Sequence, residues 1–533
     1  MIKLRIALLF FTILHPTYSF GTTTFTAASR ESSRSTNTRN EMSLTATVGS
    51  VSSSAAPLKV AVIGAGAAGL VTARILKRNG IEATILEKDA QNTGVGGVWS
   101  YHPDSKSRPM YRGLRTNLPR ELMAYREFSW GGDGKTRSFA THKEVKNYLS
   151  RYAKAMDVED LIRYQSTVTQ LEILKNGEKK NENDGDSSSW PQIKLEWESE
   201  SERSNDSEKT SHSEIFDAVC VCNGHYAAHA NPIIPGIEEF QGKIVHSISY
   251  DDPSVFKGEN VLCIGGRASG SDLAREISHH AKHVYLSDTT CPALIDGKPI
   301  TEENVSWVPR TTAVLQNSRI SFGSTCNETP EVDTIIFCSG YDYQFPFINE
   351  SSNLDLSVVP GERLVKPLYE QLWHAKYPSL TFIGLQHSVV PFPFFELQAE
   401  AVVSQLVRDS SSKSWNLPSL EDRMDCAEKD AGSGGPKGPG RIQDTHFLGP
   451  FQWDECLKYA KFADICDESL TKYIMTNKAI YDHSGEQRKS LFPGGPDGYR
   501  YNSYIRDDEN ESFRVNSLHH EMEVEGNAQS LLR

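Results

Sequence analysis

Positive charge is in short supply. The 533 residues hold 56 Lys and Arg against 69 Asp and Glu, a formal net charge of −13. A nucleic-acid protein needs a basic face to displace counterions, so that class is excluded. Cysteine is sparse as well, at nine residues, which rules out a disulfide-dense scaffold. No Cys-x-x-Cys pair is present, against a disulfide reductase. Cys220-x-Cys222 has the wrong spacing for zinc and lies on one apparent strand, as core thiols do. His15 stands alone and the pair His279-His280 has no metal-ligand company, so no metal is expected. There is no Gly-x-Ser-x-Gly hydrolase elbow. No apolar run reaches the roughly 18 residues that a spanning helix needs, so no membrane span is expected in the mature chain. What is present is ordinary for a folded protein: 38% hydrophobic and 9% aromatic residues, enough for a packed core. At roughly 150 residues per domain, two to three domains are expected.

The N-terminus has the character of an address. Lys3 and Arg5 precede the apolar run Ile6–Leu14, and the small residues Thr17 and Ser19 sit just before Phe20. This is the pattern of a secretory signal peptide over residues 1–19. Residues 20–56 are rich in Ser, Thr and Ala and poor in acid, which suits a transit-type or disordered leader. Signal plus leader resembles the bipartite plastid address of algae with secondary plastids. Plain secretory-pathway entry is the alternative, and a true start at Met42 would leave the protein cytoplasmic. Structured sequence begins at Leu58. Residues 175–191 and 198–214 read as acidic loops on either side of a strand that carries Ile193, Leu195 and Trp197, so a strand pair with long acidic tips is expected there, not a separate domain. Residues 409–443 read as a loop or linker, and residues 506–533 as a flexible tail.

Two glycine turns dominate the rest. Leu58–Ile63 is a short apolar run that leads directly into Gly64-Ala65-Gly66-Ala67-Ala68-Gly69. Apolar residues from Leu70 to Leu76 then recur at helical spacing, and Asn79-Gly80 closes the helix. Ala83–Leu86 is a second strand, ending at Glu87, 18 residues after Gly69. This is a dinucleotide fingerprint in its full context. The first glycine permits the turn, the second admits the pyrophosphate, the third lets helix and strand approach, and the acid accepts ribose hydroxyls. The second unit runs from Asn260–Ile264 through Gly265-Gly266-Arg267-Ala268-Ser269-Gly270 to the strand His283–Ser287. Arg267 replaces the middle glycine. Ser287 stands where an acid is expected, which favours a 2′-phosphate, while the adjacent Asp288 would repel one. Two dinucleotide sites in one chain suggest electron transfer from a nicotinamide to a flavin. A second turn that is only a structural half remains the alternative.

Between the turns lies Phe240-x-Gly242-x-x-x-His246-x-x-x-Tyr250. This matches the FxGxxxHxxxY signature of the flavin-containing monooxygenases, which the chain resembles over most of residues 58–408. Gly96-Gly97-Val98-Trp99 looks like that family's flavin-side segment. Leu114–Pro119 resembles its Asn-containing stretch beside the flavin ring. Val221–Tyr226 and Phe337–Tyr341 resemble the two interdomain crossings. The closest resemblance is to the plant-type S-oxygenating branch.

The resemblance implies an α/β fold of two Rossmann-like dinucleotide-binding domains. An NADP domain (225–338) would be inserted in a discontinuous FAD domain (57–224 and 339–505). It implies FAD and NADPH as cofactors and dioxygen and a small molecule as substrates. A C4a-hydroperoxyflavin would oxygenate a soft sulfur or nitrogen. Asn117 is the implied catalytic residue, with a turn-capping asparagine as the alternative. The two glycine turns, Glu87, Lys88, Gly97, Val98, Trp99, Thr116, Asn117, Val168, Ser287, Gly340 and Gln398 are the implied cofactor contacts. Trp99 either stacks beside the flavin or packs in the core. Phe392, Phe394 and Phe395 either roof the site or, as the better reading, pack the core. His246 and Tyr250 are expected to lock the interdomain hinge. Baeyer–Villiger oxygenation, N-hydroxylation and a non-oxygenating NADPH oxidase are the competing functions. The Tyr250-Asp251 ending, in place of Trp, speaks against the first.

Overall fold

The computed structural model describes residues 57–103, 108–131, 135–174, 190–200, 209–291, 298–323, 326, 330–359, 361–412, 417–433, 441–489, 492 and 497–517. The signal, leader and Met42 expectations lie outside these residues, as does the tail beyond 517.

Two parallel-centred sheets carry the α/β architecture. The first has seven strands in the order Leu368–Tyr369, Trp373–His374, Leu380–Phe382, Ala218–Val221, Lys59–Ile63, Glu82–Leu86, Ile162–Arg163. The second has six, in the order Ile300–Glu302, Val305–Val308, His283–Ser287, Asn260–Ile264, Thr334–Phe337, Lys243–His246. Each is built around a buried apolar strand that leads into a glycine turn: Val60, Ala61 and Val62 in one, Val261, Leu262 and Cys263 in the other, all fully buried. Strands covered on both faces read as continuous apolar runs, which is why both were visible in the sequence.

Helix α1 (Ala67–Arg78) follows the first turn. It buries Leu70, Val71, Ile75 and Leu76, each contributing about 1.5–3 kcal/mol on leaving water. Helix α2 (His142–Ala155) starts with a capping box in which the Thr141 hydroxyl accepts from the Glu144 N–H. Its Tyr148 and Tyr152 fill the same core as Tyr125 and Phe392. Helix α3 (Ala268–Ser278) follows the second turn. Helices α4 (Pro391–Ser412), α5 (Leu420–Ser433), α6 (Gln452–Phe462) and α7 (Glu468–Lys489) complete the layer around the first sheet. Phe392 and Phe394 are buried in that layer, so core packing is their role. The wholly buried Cys220 and Cys222 are core thiols with burial-raised pKa values.

Three expectations change. Residues 409–443 are not one linker: α4 extends into them and α5 lies within them. The acidic stretch 198–214 is strand at both ends. Lys209–Phe216 pairs along Ile193–Glu200, which in turn pairs with Ser166–Ile173 in a three-stranded sheet. The tail from 506 is ordered as far as Ser517, because Asn502–Asp507 and Ser512–Ser517 form a hairpin. Phe513 and Val515 of that hairpin pack on the main core.

The two crossings between the sheets leave from equivalent places. Cys222 N–H donates to Ile63 O at 3.0 Å, and Cys338 N–H donates to Ile264 O at 2.8 Å. From there the chains cross as paired antiparallel strands, with Tyr341 opposite His229.

Candidate active site

The first turn is compact for a stated reason at each glycine. Gly64 has φ +103°, and a Cβ there would lie 2.7 Å from Cys222 O. At Gly69 a Cβ would lie 1.9 Å from Gly64 O, so helix and strand could not meet. Gly66 differs: its φ of −79° suits any residue, and its space is bounded by Gly97, whose Cα lies 3.6 Å from the Cβ site. Gly97 in turn has φ +56°, and its own Cβ would come within 2.9 Å of Gly66 Cα. The segment Gly96–Trp99 thus lies against the turn, tied by Gly96 N–H to Ala65 O at 3.1 Å. Val98 and Trp99 are half-buried there, and Trp99 also packs on the main core.

Helix α1 opens with no side-chain cap and no acid in its first turn. Its first N–H groups therefore have no intrahelical partner and suit an anion. Glu87, 5% exposed, accepts from the Ala65 N–H at 2.6 Å and the Asp89 N–H at 2.9 Å. Burial raises its pKa above the ordinary carboxylate value despite those two donors. Lys88 is exposed beside it.

Thr116 is anchored by its N–H to Ala140 O at 2.8 Å. Its hydroxyl is buried and has no hydrogen-bond partner among the described residues, which is costly unless a ligand supplies one. The neighbouring Asn117 is half-buried. A cradle that excludes Cβ atoms, an uncapped helix start and an orphaned hydroxyl together fit a dinucleotide such as FAD.

The second turn repeats this backbone with different cover. Gly265 has φ +112°, with Cys338 O 2.6 Å from a Cβ there, and at Gly270 a Cβ would meet Gly265 O at 1.7 Å. Arg267 takes φ −72° and ψ −167°, against −79° and −172° at Gly66. Its side chain points out of the turn, with the guanidinium 5.8 Å from the Phe447 ring centroid. Ala268 and Ser269 are exposed at the start of α3. Gly340 has φ +85°, and the Arg363 guanidinium donates to the neighbouring Ser339 O.

Three further implied contacts are engaged with the protein itself. Ser287 is 2% exposed, and its hydroxyl donates to Pro309 O at 3.1 Å and accepts from Thr311 N–H and Oγ1, both at 2.9 Å. It is a strand tie. Gln398 is wholly buried on α4. Its Oε1 accepts from Gly384 N–H at 3.0 Å and its Nε2 donates to Gln386 Oε1 at 2.7 Å. It ties the segment Gly384–Gln386 to α4. The Val168 side chain packs in a separate core cluster with Trp197, beside a bulge in its strand, leaving its backbone as the part that could meet a ligand.

The hinge motif is tied on both sides. Tyr250 OH donates to Glu276 Oε2 on α3 at 2.9 Å, while its ring meets Tyr111 edge-on at 5.1 Å. His246 Nδ1 accepts from the Ile248 N–H at 3.2 Å. Sequence reasoning missed the stronger tie, Asp251. It accepts from Tyr101 OH at 2.8 Å, Arg112 N–H at 3.0 Å and Arg112 Nη2 at 3.1 Å. It also missed His225, which bonds Gly384 O through Nδ1 at 3.0 Å in a small pocket with Asn223, Gly224 and Phe345. Burial lowers its pKa to about 4. No single-residue pattern signals either tie, since both are made across the fold.

Comparison with known proteins agrees with this geometry. Residues 57–298 match the model of the flavin-binding monooxygenase-like family. "Flavin-containing monooxygenase FMO GS-OX-like 2" of Arabidopsis thaliana is 36% identical over 436 residues, 76% of this chain and 84% of that one. The chain belongs to the flavin-containing monooxygenase family. A second Arabidopsis thaliana member, FMO GS-OX5, is 34% identical over 74% of this chain and 83% of its own. Among solved structures, S-allyl-L-cysteine S-oxygenase from Allium sativum superposes with a TM-score of 0.69 at 29% identity, covering 86% of this chain and 97% of that one. Tmm from Pelagibacter shares the fold, with a TM-score of 0.62 at 21% identity over 85% and 95% of the two chains. The fold is therefore that of a two-dinucleotide flavoprotein, and the enzyme is an FAD- and NADP-dependent monooxygenase of the plant-type branch.

Proposed function

We propose that this monooxygenase inserts one atom of dioxygen into a soft sulfur of a small molecule, a thioether giving its sulfoxide. The observation that carries the reading is the likeness, over nearly the whole described fold, to an enzyme named as an S-allyl-L-cysteine S-oxygenase. The body formed by 57–224 and 339–505 holds FAD, and the insert 225–338 holds the nicotinamide dinucleotide. Bound flavin, reduced by the nicotinamide, supplies with dioxygen the electrophilic oxygen that a sulfur lone pair attacks.

The chain's own groups bind, orient and keep water out. The first turn and the start of α1 hold the pyrophosphate with backbone N–H groups. Glu87 accepts the ribose hydroxyls, Gly97–Trp99 covers the dinucleotide, and Thr116 supplies the hydroxyl that is orphaned without a ligand. Asn117, half-buried next to Thr116, is the amide assigned to the reacting region. Asp251, gripped by Tyr101 and Arg112, sets the angle at which the insert meets the flavin body.

Offering a thioether, a tertiary amine and a cyclic ketone to the FAD-loaded protein with NADPH, and identifying products by mass, tests the reading. Sulfoxide as the main product supports it. N-oxide, ester, or hydrogen peroxide alone would instead point to the amine, Baeyer–Villiger or oxidase alternatives. Asn117→Ala is expected to retain FAD while sulfoxide formation drops about a hundredfold, as when a preorganised donor at a reacting centre is removed. Undiminished sulfoxide yield would remove Asn117 from the mechanism.

A further inference from the structure

The two strand ends that close the glycine-turn units occupy the same place. In the first unit Ile63 pairs with Leu86, and Gly64 N–H donates to Leu86 O at 2.9 Å. Glu87 comes next, its N–H on Arg163 O of the neighbouring strand at 3.0 Å. In the second unit Ile264 pairs with Ser287, and Gly265 N–H donates to Ser287 O at 2.9 Å. Asp288 comes next, its N–H on Val308 O of the neighbouring strand at 3.0 Å. Each acid follows the third glycine of its turn, Gly69 or Gly270, by 18 residues. The side chains agree. Glu87 accepts from Ala65 N–H, while the Asp288 carboxylate lies on Gly266, Ala65's counterpart, where a Cβ would meet Oδ2 at 2.5 Å. Asp288, not Ser287, is the equivalent of Glu87.

An acid here accepts the 2′-hydroxyl of an adenosine ribose and repels a 2′-phosphate, which instead calls for a nearby cation. Ser287 cannot soften the site, since its hydroxyl is fully engaged. The Thr290 hydroxyl donates to Asp288 itself at 2.7 Å. Arg267 is turned toward Phe447. Arg310, exposed two residues beyond Val308 on the neighbouring strand, is the basic residue nearest in sequence to that strand end and would be the counter-charge for the phosphorylated coenzyme.

We propose that Asp288 holds the adenosine ribose of the nicotinamide dinucleotide through its 2′-hydroxyl, so that the enzyme takes NADH as reductant as well as NADPH. This rests on the reading of the second turn as the nicotinamide site.

Calorimetric titration of the FAD-loaded protein with NAD⁺ and with NADP⁺, in wild type, Asp288→Asn and Asp288→Ser, tests it. The two dissociation constants in wild type are expected to lie within about tenfold of each other, the span of a few polar contacts. Both variants are expected to weaken NAD⁺ and shift the ratio toward NADP⁺ by about tenfold or more. The asparagine form, nearly isosteric, guards against a folding artefact. Wild-type binding of NADP⁺ alone, or a ratio that neither variant moves, would overturn the role of Asp288 and leave the nicotinamide site intact. Failure of both nucleotides to bind would overturn the site as well.

Discussion

The two glycine turns share a backbone and differ in what covers them. Gly66 and Arg267 hold nearly the same φ and ψ at the start of their helices. At 66 a Cβ alone would make ordinary contact with Gly97 Cα at 3.6 Å, so it is a longer side chain that the Gly96–Gly97 segment limits, while Gly97 itself is held to glycine by Gly66 Cα, 2.9 Å from its Cβ site. In the second turn the same position carries the long side chain of Arg267, exposed, with its guanidinium 5.8 Å from the Phe447 ring. A turn covered by backbone suits a group that stays bound. An open turn suits one that enters and leaves in each catalytic cycle. The outer glycines are under the same constraint in both units, since a Cβ at Gly69 or Gly270 would overlap the carbonyl of the first glycine.

Exchanging residues between the turns breaks or sharpens that comparison. Gly66→Arg is expected to abolish FAD retention, because the first atoms past Cβ meet Gly97. A preparation that kept its yellow flavin through gel filtration would show that the segment lifts. Next in size is acid sensitivity. His374 and His446 are buried in the flavin-side body, with pKa values lowered by burial to about 4 and about 3. A ring nitrogen of each accepts a backbone N–H, from Tyr377 and Val365. Neutral in the fold and protonated once unfolded near pH 5, the pair stabilises the fold at neutral pH. That contribution is lost as pH falls below the ordinary histidine value. Together they are expected to remove about 3 kcal/mol of stability between about pH 6.5 and 5. Denaturant unfolding at the two values measures it, and His446→Gln should remove about half of that change.

Gly270→Ala is expected to cost about 1–3 kcal/mol by overpacking and to weaken nicotinamide binding while leaving FAD in place. Thermal unfolding together with flavin content checks both. The smallest effect belongs to Arg267→Gly, the reverse of the first exchange. It removes one exposed cation–π contact, about 0.5–1 kcal/mol, so NADP⁺ affinity should change no more than about fivefold.

Much of this arrangement was legible in the chain. Both glycine strands are apolar runs that end in a turn only glycine can make, and the third glycine follows from the close helix that succeeds it. The equivalence of Asp288 and Glu87 was also there to be counted, in the shared 18-residue interval. The sequence reading compared Ser287 with Glu87; Ser287 is buried and its neighbour Asp288 is half-buried, since a one-residue slip exchanges one face of a strand for the other. The roles of Gln398 and Asp251 were not legible. Gln398 looks like a site residue by position. Only the fold shows its amide spent on Gly384 and Gln386. Asp251 acts through Tyr101 and Arg112, distant in sequence. The terminal hairpin escaped notice because its inward apolar residues, Tyr504, Phe513 and Val515, are few and set in polar surroundings.

The central claim is that this fold couples nicotinamide oxidation to oxygen transfer onto sulfur. Counting sulfoxide and hydrogen peroxide against NADPH consumed, with the FAD-loaded protein and a saturating thioether, tests it most directly. Nearly one sulfoxide per NADPH, with little peroxide, is the expected result. NADPH consumed wholly into hydrogen peroxide, at a rate the thioether does not alter, would contradict the account.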